Sequence, residues 1–183
     1  MRVITGIARG VTLKTLEGET VRPTTGKTKE AIFSAINFDI EGRRVLDLFA
    51  GSGQLGIEAL SRGAEKATFT DLSADAIDII KQNVKKCGFE KQSVIFRTDY
   101  ERFLKGTKEI FDIAFIDPPY DAGFLEDAII KTAEKMSEYG IIVCEHPSAA
   151  EMPSSVGEFA IYRQYKYGKL VTVTIYKNKK VIE

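Results

Sequence analysis

From residue 44 the chain alternates short apolar runs with helix-length amphipathic stretches, and this alternation restricts the fold more than any other feature. Arg44-Val-Leu-Asp-Leu-Phe49 precedes 53–62, Ala67-Thr-Phe-Thr-Asp71 precedes 74–87, and Ser93-Val-Ile-Phe-Arg97 precedes a short helix near 100–105. Phe111-Asp-Ile-Ala-Phe-Ile116 precedes 123–137, and Gly140-Ile-Ile-Val-Cys144 closes the series. Five strands separated by helices imply crossover connections and a mostly parallel sheet, an α/β doubly wound fold. Ligands of such a sheet lie at the carboxyl ends of its strands.

Both flanks break the alternation. Val3-Ile-Thr and Gly10-Val-Thr-Leu-Lys-Thr, punctuated by Gly6, Gly10 and Gly18, read as a small antiparallel element. After Pro23, Thr24 or Thr25 caps a helix with Ala31, Ile32, Phe33, Ala35 and Ile36 on its apolar face. At the far end, 159–165 and 170–176 are β-rich and flank the turn Tyr167-Gly-Lys169, which reads as an antiparallel hairpin. The expected division is an N-terminal β-hairpin and helix extension over 1–38, followed by one domain over 39–183.

A chain of 183 residues, 44% hydrophobic and 28% charged, buries enough surface to need no disulfide or metal. Cys87 and Cys144 read as reduced thiols, no apolar run approaches the roughly 20 residues of a membrane span, and Met1-Arg-Val-Ile-Thr-Gly6 lacks a signal-peptide core. The expected location is the cytoplasm. Zero net charge argues against a globally basic nucleic-acid binder, but the signs are segregated. Residues 1–29 carry +4, residues 161–183 carry +5, and the stretch between carries −9, so a polyanion is expected at the termini.

Gly51-Ser-Gly53-Gln-Leu-Gly56 follows a strand and opens a helix, where small residues let backbone close on a ligand. Asp71, 20 residues beyond Gly51 at a strand end, suits a ribose. Both features serve a nicotinamide dinucleotide or S-adenosylmethionine. Asp47, just ahead of the loop, is ill placed for a pyrophosphate and well placed for a zwitterionic amino acid and a sulfonium. Asp99 ends the next strand, either as an acceptor for an adenine amine or as a helix N-cap.

Asp117-Pro-Pro-Tyr120 follows the fourth strand on the same sheet edge. Two prolines stiffen the backbone and withhold N–H donors, leaving carbonyls as preset acceptors. Asp117 and the Pro118 carbonyl then accept the two hydrogens of a planar amine while Tyr120 stacks on its ring. Gly26-Lys-Thr28 is no phosphate loop, because the required earlier glycine is Val21. His146 stands alone, which argues against a triad or a histidine-rich metal site, and no metal is expected. Tyr162, Tyr165 and Tyr167 among basic residues read as packing or RNA contacts.

Val45-Leu-Asp-Leu-Phe-Ala-Gly-Ser-Gly53 resembles the cofactor motif of class I methyltransferases, and Asp117-Pro-Pro-Tyr120 resembles the amino-methylating signature of their nucleic-acid branch. With Arg22-Pro-Thr-Thr25, Ala31-Ile-Phe33, Gly56-Ile-Glu-Ala-Leu-Ser-Arg62 and the final Tyr-Gly hairpin, nearly the whole chain is similar to the RsmD family of 16S ribosomal RNA guanine-N2 methyltransferases. The resemblance implies a Rossmann-like class I methyltransferase fold and methylation of a guanine N2 with S-adenosylmethionine as cofactor. Phe49 and Leu72 join the cofactor set, and 16S ribosomal RNA or a small-subunit assembly particle is the implied partner. RNA is expected on Arg22, Thr24, Lys27, Lys29 and Pro119. The alternatives are an adenine-N6 methyltransferase on DNA or RNA, a nicotinamide-dependent dehydrogenase and a noncatalytic RNA-binding protein.

Overall fold

The central strands β1 (Arg44–Asp47), β2 (Lys66–Asp71) and β4 (Phe111–Ile116) are buried on both faces, as strands covered by helices on two sides must be. The computed structural model describes residues 1–16, 26–119 and 123–182. Its other strands are β3 (Ser93–Arg97), β5 (Met136–Pro147), β6 (Ser155–Val156), β7 (Phe159–Tyr167) and β8 (Val171–Asn178). All eight form one sheet in the order β3-β2-β1-β4-β5-β8-β7-β6, parallel from β3 to β5 and antiparallel beyond. The chain reverses its direction of winding between β1 and β4, which opens a crevice at their carboxyl ends.

The helices are α1 (Gly26–Ala35), α2 (Gln54–Ser61), α3 (Ala74–Cys87), α4 (Tyr100–Gly106), α5 (Leu125–Ala133) and α6 (Lys179–Ile182). On one face Ile32, Phe33, Ile57, Ile77 and Ile80 of α1–α3 pack with Val45, Phe69, Ile113 and Phe115 of the sheet. On the other, Phe103, Leu104, Ala128 and Ile129 of α4 and α5 pack with Leu46, Ala114, Ile116 and Tyr176. Residues 1–16 belong to the first face. Val3, Ala8 and Leu13 enter the same buried cluster as β1, so the extension shares the core of the domain it precedes.

Two details differ from the sequence reading. The N-terminal element is a single antiparallel bridge, Arg2 with Thr12, supported by Val3 N–H to the Val11 carbonyl and Gly10 N–H to the Val3 carbonyl. α5 stops at Ala133, and β5 starts at Met136 rather than 140. The β4–β5 register passes from Phe111↔Met136 to Ile113↔Ile141, so a bulge absorbs the Ser137–Gly140 stretch that looks helical in sequence. The terminal hairpin joins the sheet through β8, which lies between β5 and β7.

Candidate active site

The turn from β1 into α2 is built by backbone that needs glycine. Gly51 has φ +53° and Gly53 φ +77°, both in the left-handed region. Gly53 is also the N-cap of α2 and has no side chain to hold the helix's free amides. Asp47 takes over that task. Its Oδ2 accepts the Gly56 N–H at 2.9 Å, placing a buried carboxylate against the positive end of α2. Gly56 is small for a separate reason, since a Cβ there would lie 2.3 Å from the Phe69 ring of β2.

Asp71, at the end of β2, fixes the other side of the loop. One oxygen accepts the Gly51 N–H at 2.9 Å and the other accepts the Ser73 N–H at 2.9 Å. Each carboxylate oxygen has two lone pairs, so Asp71 retains acceptor capacity for a diol. Leu72 beside it is exposed. Asp99 caps α4 through a 2.8 Å bond from the Arg102 N–H and keeps its second oxygen at the surface, so the cap reading of this residue is realised in the structure.

Phe49, Tyr100 and Phe124 form an aromatic group at the same edge, with centroids 5.0–5.6 Å apart. The Tyr100 hydroxyl donates to Asp127 at 2.7 Å, and burial together with that carboxylate pushes its pKa up to about 12. The phenol therefore stays protonated and acts as a fixed wall. The donor set fits S-adenosylmethionine: a cradle of positive-φ glycines, carboxylates beside it for a sulfonium and an ammonium, and apolar surface for a purine.

The second half of the site begins where β4 ends. The Leu48 N–H donates to the Phe115 carbonyl at 3.1 Å, and Asp47 pairs in register with Phe115, so the glycine loop and Asp117-Pro118-Pro119 leave adjacent strands side by side. Ile116 pairs with Cys144 in parallel register, which puts Asp117 next to Glu145 of β5 and on the same face of the sheet. Pro118, Pro119, Glu145 and Pro147 line one pocket there.

A family model described as "Conserved hypothetical protein 95" matches residues 1–177. The chain belongs to this family. It is 42% identical over 184 residues to Bacillus subtilis YlbH, covering 98% of this chain and 100% of that one. It is 40% identical over 133 residues to the "Ribosomal RNA small subunit methyltransferase D" of Haemophilus influenzae, covering 70% and 68%. Among solved structures, yhhF of Escherichia coli superposes with a TM-score of 0.88 at 28% identity, covering 97% of both chains. The Rossmann-like methyltransferase fold, with its mostly parallel sheet and closing hairpin, is thus the fold of this member of the Conserved hypothetical protein 95 family.

On the substrate side the structure makes one correction. Lys29 does not face solvent; it is 1% exposed, bonded to Glu58 at 3.1 Å and donating to the Arg2 carbonyl at 2.8 Å. Burial pulls its pKa below the usual lysine range, Glu58 opposes that shift, and Arg62 adds to it. Lys29 therefore anchors the extension instead of meeting RNA. Lys27, two residues earlier, is exposed and lines a shallow pocket with Ile4 and Glu30. Arg22, Thr24 and Tyr120 lie outside the described residues.

Sequence reasoning overlooked Glu58, Asn83 and Glu145. A carboxylate or carboxamide on an otherwise buried helix face is the local sign of the first two, and apart from Arg62 beside Glu58 their partners are remote in sequence. For Glu145 the sign is its place at the end of a run facing the core, one strand from Asp117. His146 is buried and fully bonded. Its Nδ1 meets the Pro147 carbonyl at 2.9 Å and its Nε2 the Thr174 hydroxyl at 2.8 Å, while Gln164 donates to that hydroxyl at 3.0 Å. This arrangement holds a neutral ring with the proton on Nδ1, and burial lowers its pKa. No cluster of metal-binding side chains occurs among the described residues.

Proposed function

We propose that the chain transfers a methyl group from S-adenosylmethionine to the exocyclic N2 of a guanine in 16S ribosomal RNA. The observation that carries this reading is the adjacency of the two half-sites: the loop tethered by Asp71 and the Asp117-Pro118-Pro119 turn emerge from neighbouring parallel strands. Support for ribosomal RNA as substrate comes from the name of the Haemophilus influenzae relative. Bound S-adenosylmethionine supplies an electrophilic methyl group on a sulfonium.

The chain's own residues align and activate the acceptor. The Asp117 carboxylate and the Pro118 carbonyl accept the two amine hydrogens, which favours a pyramidal nitrogen with its lone pair directed at the methyl carbon. Tyr120 stacks on the flipped base. Glu145 beside Asp117 favours guanine over adenine, because guanine presents an N1–H donor next to its N2 amine, whereas adenine presents a bare N1 acceptor next to N6. No helix among the described residues is long and apolar enough to cross a membrane.

The test is to digest 16S ribosomal RNA from cells with and without the protein and map N2-methylguanosine by mass spectrometry. One N2-methylated guanine that disappears with the protein and returns on adding protein and S-adenosylmethionine in vitro is the expected result. Methyl transfer to adenine N6 instead overturns the guanine reading. Absence of any transfer to RNA overturns the whole proposal.

A further inference from the structure

Asn83 lies on α3, is fully buried, and is 30 residues or more in sequence from every group it binds. Its Oδ1 accepts the Lys14 N–H at 2.8 Å. Its Nδ2 donates to the Lys14 carbonyl at 2.9 Å and to the Ser52 carbonyl at 2.9 Å. The partners fix the orientation of the carboxamide, since a flipped amide would set an N–H against an N–H and an oxygen against two carbonyls.

One side chain therefore joins two distant pieces of backbone. Ser52 sits between Gly51 and Gly53, the two positive-φ residues of the glycine loop. Drawing its carbonyl toward α3 turns the N–H of the same planar peptide, that of Gly53, the opposite way. There it donates to the Ala50 carbonyl at 2.6 Å, so the bond from Asn83 sets the peptide plane on which the loop's curvature depends. The other partner, Lys14, belongs to the N-terminal extension and lies eight residues before Arg22.

We infer that Asn83 is a positioning residue that makes the glycine loop and the N-terminal extension a single hydrogen-bonded unit, so that holding the cofactor and holding the extension in place stabilise each other. Such coupling is reciprocal: whatever tightens one end tightens the other. RNA docking on the extension would then strengthen the hold on S-adenosylmethionine without touching it. The inference rests on the reading of the glycine loop as the cofactor cradle.

Hydrogen exchange on the wild-type protein with and without saturating S-adenosylhomocysteine separates the two ideas. Slower exchange is expected in residues 50–56 and also in residues 11–16, beyond any change in residues 171–178, which serve as the measure of global stabilisation. Protection at 50–56 with 11–16 unchanged overturns the coupling and leaves the cradle standing. No protection at 50–56 overturns the cradle and the coupling with it. Asn83→Ser, which cannot reach either carbonyl, should abolish the response at 11–16 and weaken S-adenosylhomocysteine binding about tenfold in calorimetry; unchanged affinity in a folded variant also overturns the inference. If this variant does not fold, the wild-type exchange experiment decides alone.

Discussion

Lys29 and Glu58 form an ion pair at 3.1 Å with neither side chain open to water. Glu58 is the hub of the contact between the extension and α2. Its Oε2 takes Lys29 and the Ile4 N–H, and its Oε1 takes Arg62 and the Thr5 N–H. Removing one partner of such a pair leaves a buried charge uncompensated, at about 3–5 kcal/mol. Glu58→Ala should therefore lower unfolding free energy by about that amount in urea titrations. A loss below about 1 kcal/mol would show that water reaches Lys29 and that the pair is a surface one.

Gly53 and Gly56 have different reasons to be glycine, and substitutions should separate them. Gly53→Val forces a branched residue into φ +77°, with its Cβ 3.2 Å from Ile80, and should reduce cofactor affinity at least tenfold in calorimetry. Gly56→Ala drives a methyl into the Phe69 ring and should lower stability by about 1–3 kcal/mol, seen as a lower melting temperature. Gly53→Val with wild-type cofactor affinity would place the cofactor elsewhere.

Asp117→Ala should leave calorimetric binding of S-adenosylmethionine nearly unchanged and reduce single-turnover methyl transfer by two or more orders of magnitude, about 2.7 kcal/mol of barrier. Tyr120→Phe should keep most activity, because stacking needs the ring, while Tyr120→Ala should mainly raise the RNA concentration required. A wild-type rate for Asp117→Ala would remove Asp117 from the role of amine acceptor.

The two lysines of α1 should behave differently. Lys27→Ala should weaken binding of a 16S ribosomal RNA fragment and reduce the salt slope by about 0.7, the value for one single-strand phosphate contact. Lys29→Ala should instead act on stability. A Lys29 variant that keeps its melting temperature while losing RNA affinity would contradict the buried pair.

His146 sets a pH dependence whose sign follows from its lowered pKa. The folded ring stays neutral while the unfolded ring takes a proton below about 6.5, so the unfolded state binds more protons in that window. Stability should rise with pH up to the ordinary histidine value and fall as the solution is acidified from there toward the folded pKa. His146→Gln should flatten the slope of melting temperature between pH 7 and 5, values chosen to bracket that window. An equally steep slope in this variant would assign the effect to other groups.

The parallel strands, the glycine turn and the terminal hairpin were legible because each has a local signature: continuous apolar runs, a glycine spacing, and alternation around Tyr167-Gly168. Lys29 was misread although its position is informative. It precedes Ile32, Phe33 and Ile36 by three, four and seven residues, which is the spacing of the buried face of α1. Charge suggested a surface, and the carboxylate that reverses that inference lies 29 residues away. Asn83 was silent for the same reason. The bulge in β5 was hidden because Glu134-Lys-Met-Ser-Glu138 is a good helical stretch by propensity, and only pairing with Phe111 makes it a strand.

The position of β8 between β5 and β7 has a consequence for how the molecule can be assembled. β7 has no route to the parallel strands except through β8, and seven register pairs, Ile141↔Lys177 to Pro147↔Val171, carry the whole junction. The edge of β5 therefore stays open until it is covered by a strand that begins 24 residues after β5 ends. An interruption anywhere in 171–178 bares two edges at once, on β5 and on β7, and turns a folding intermediate into a template for association.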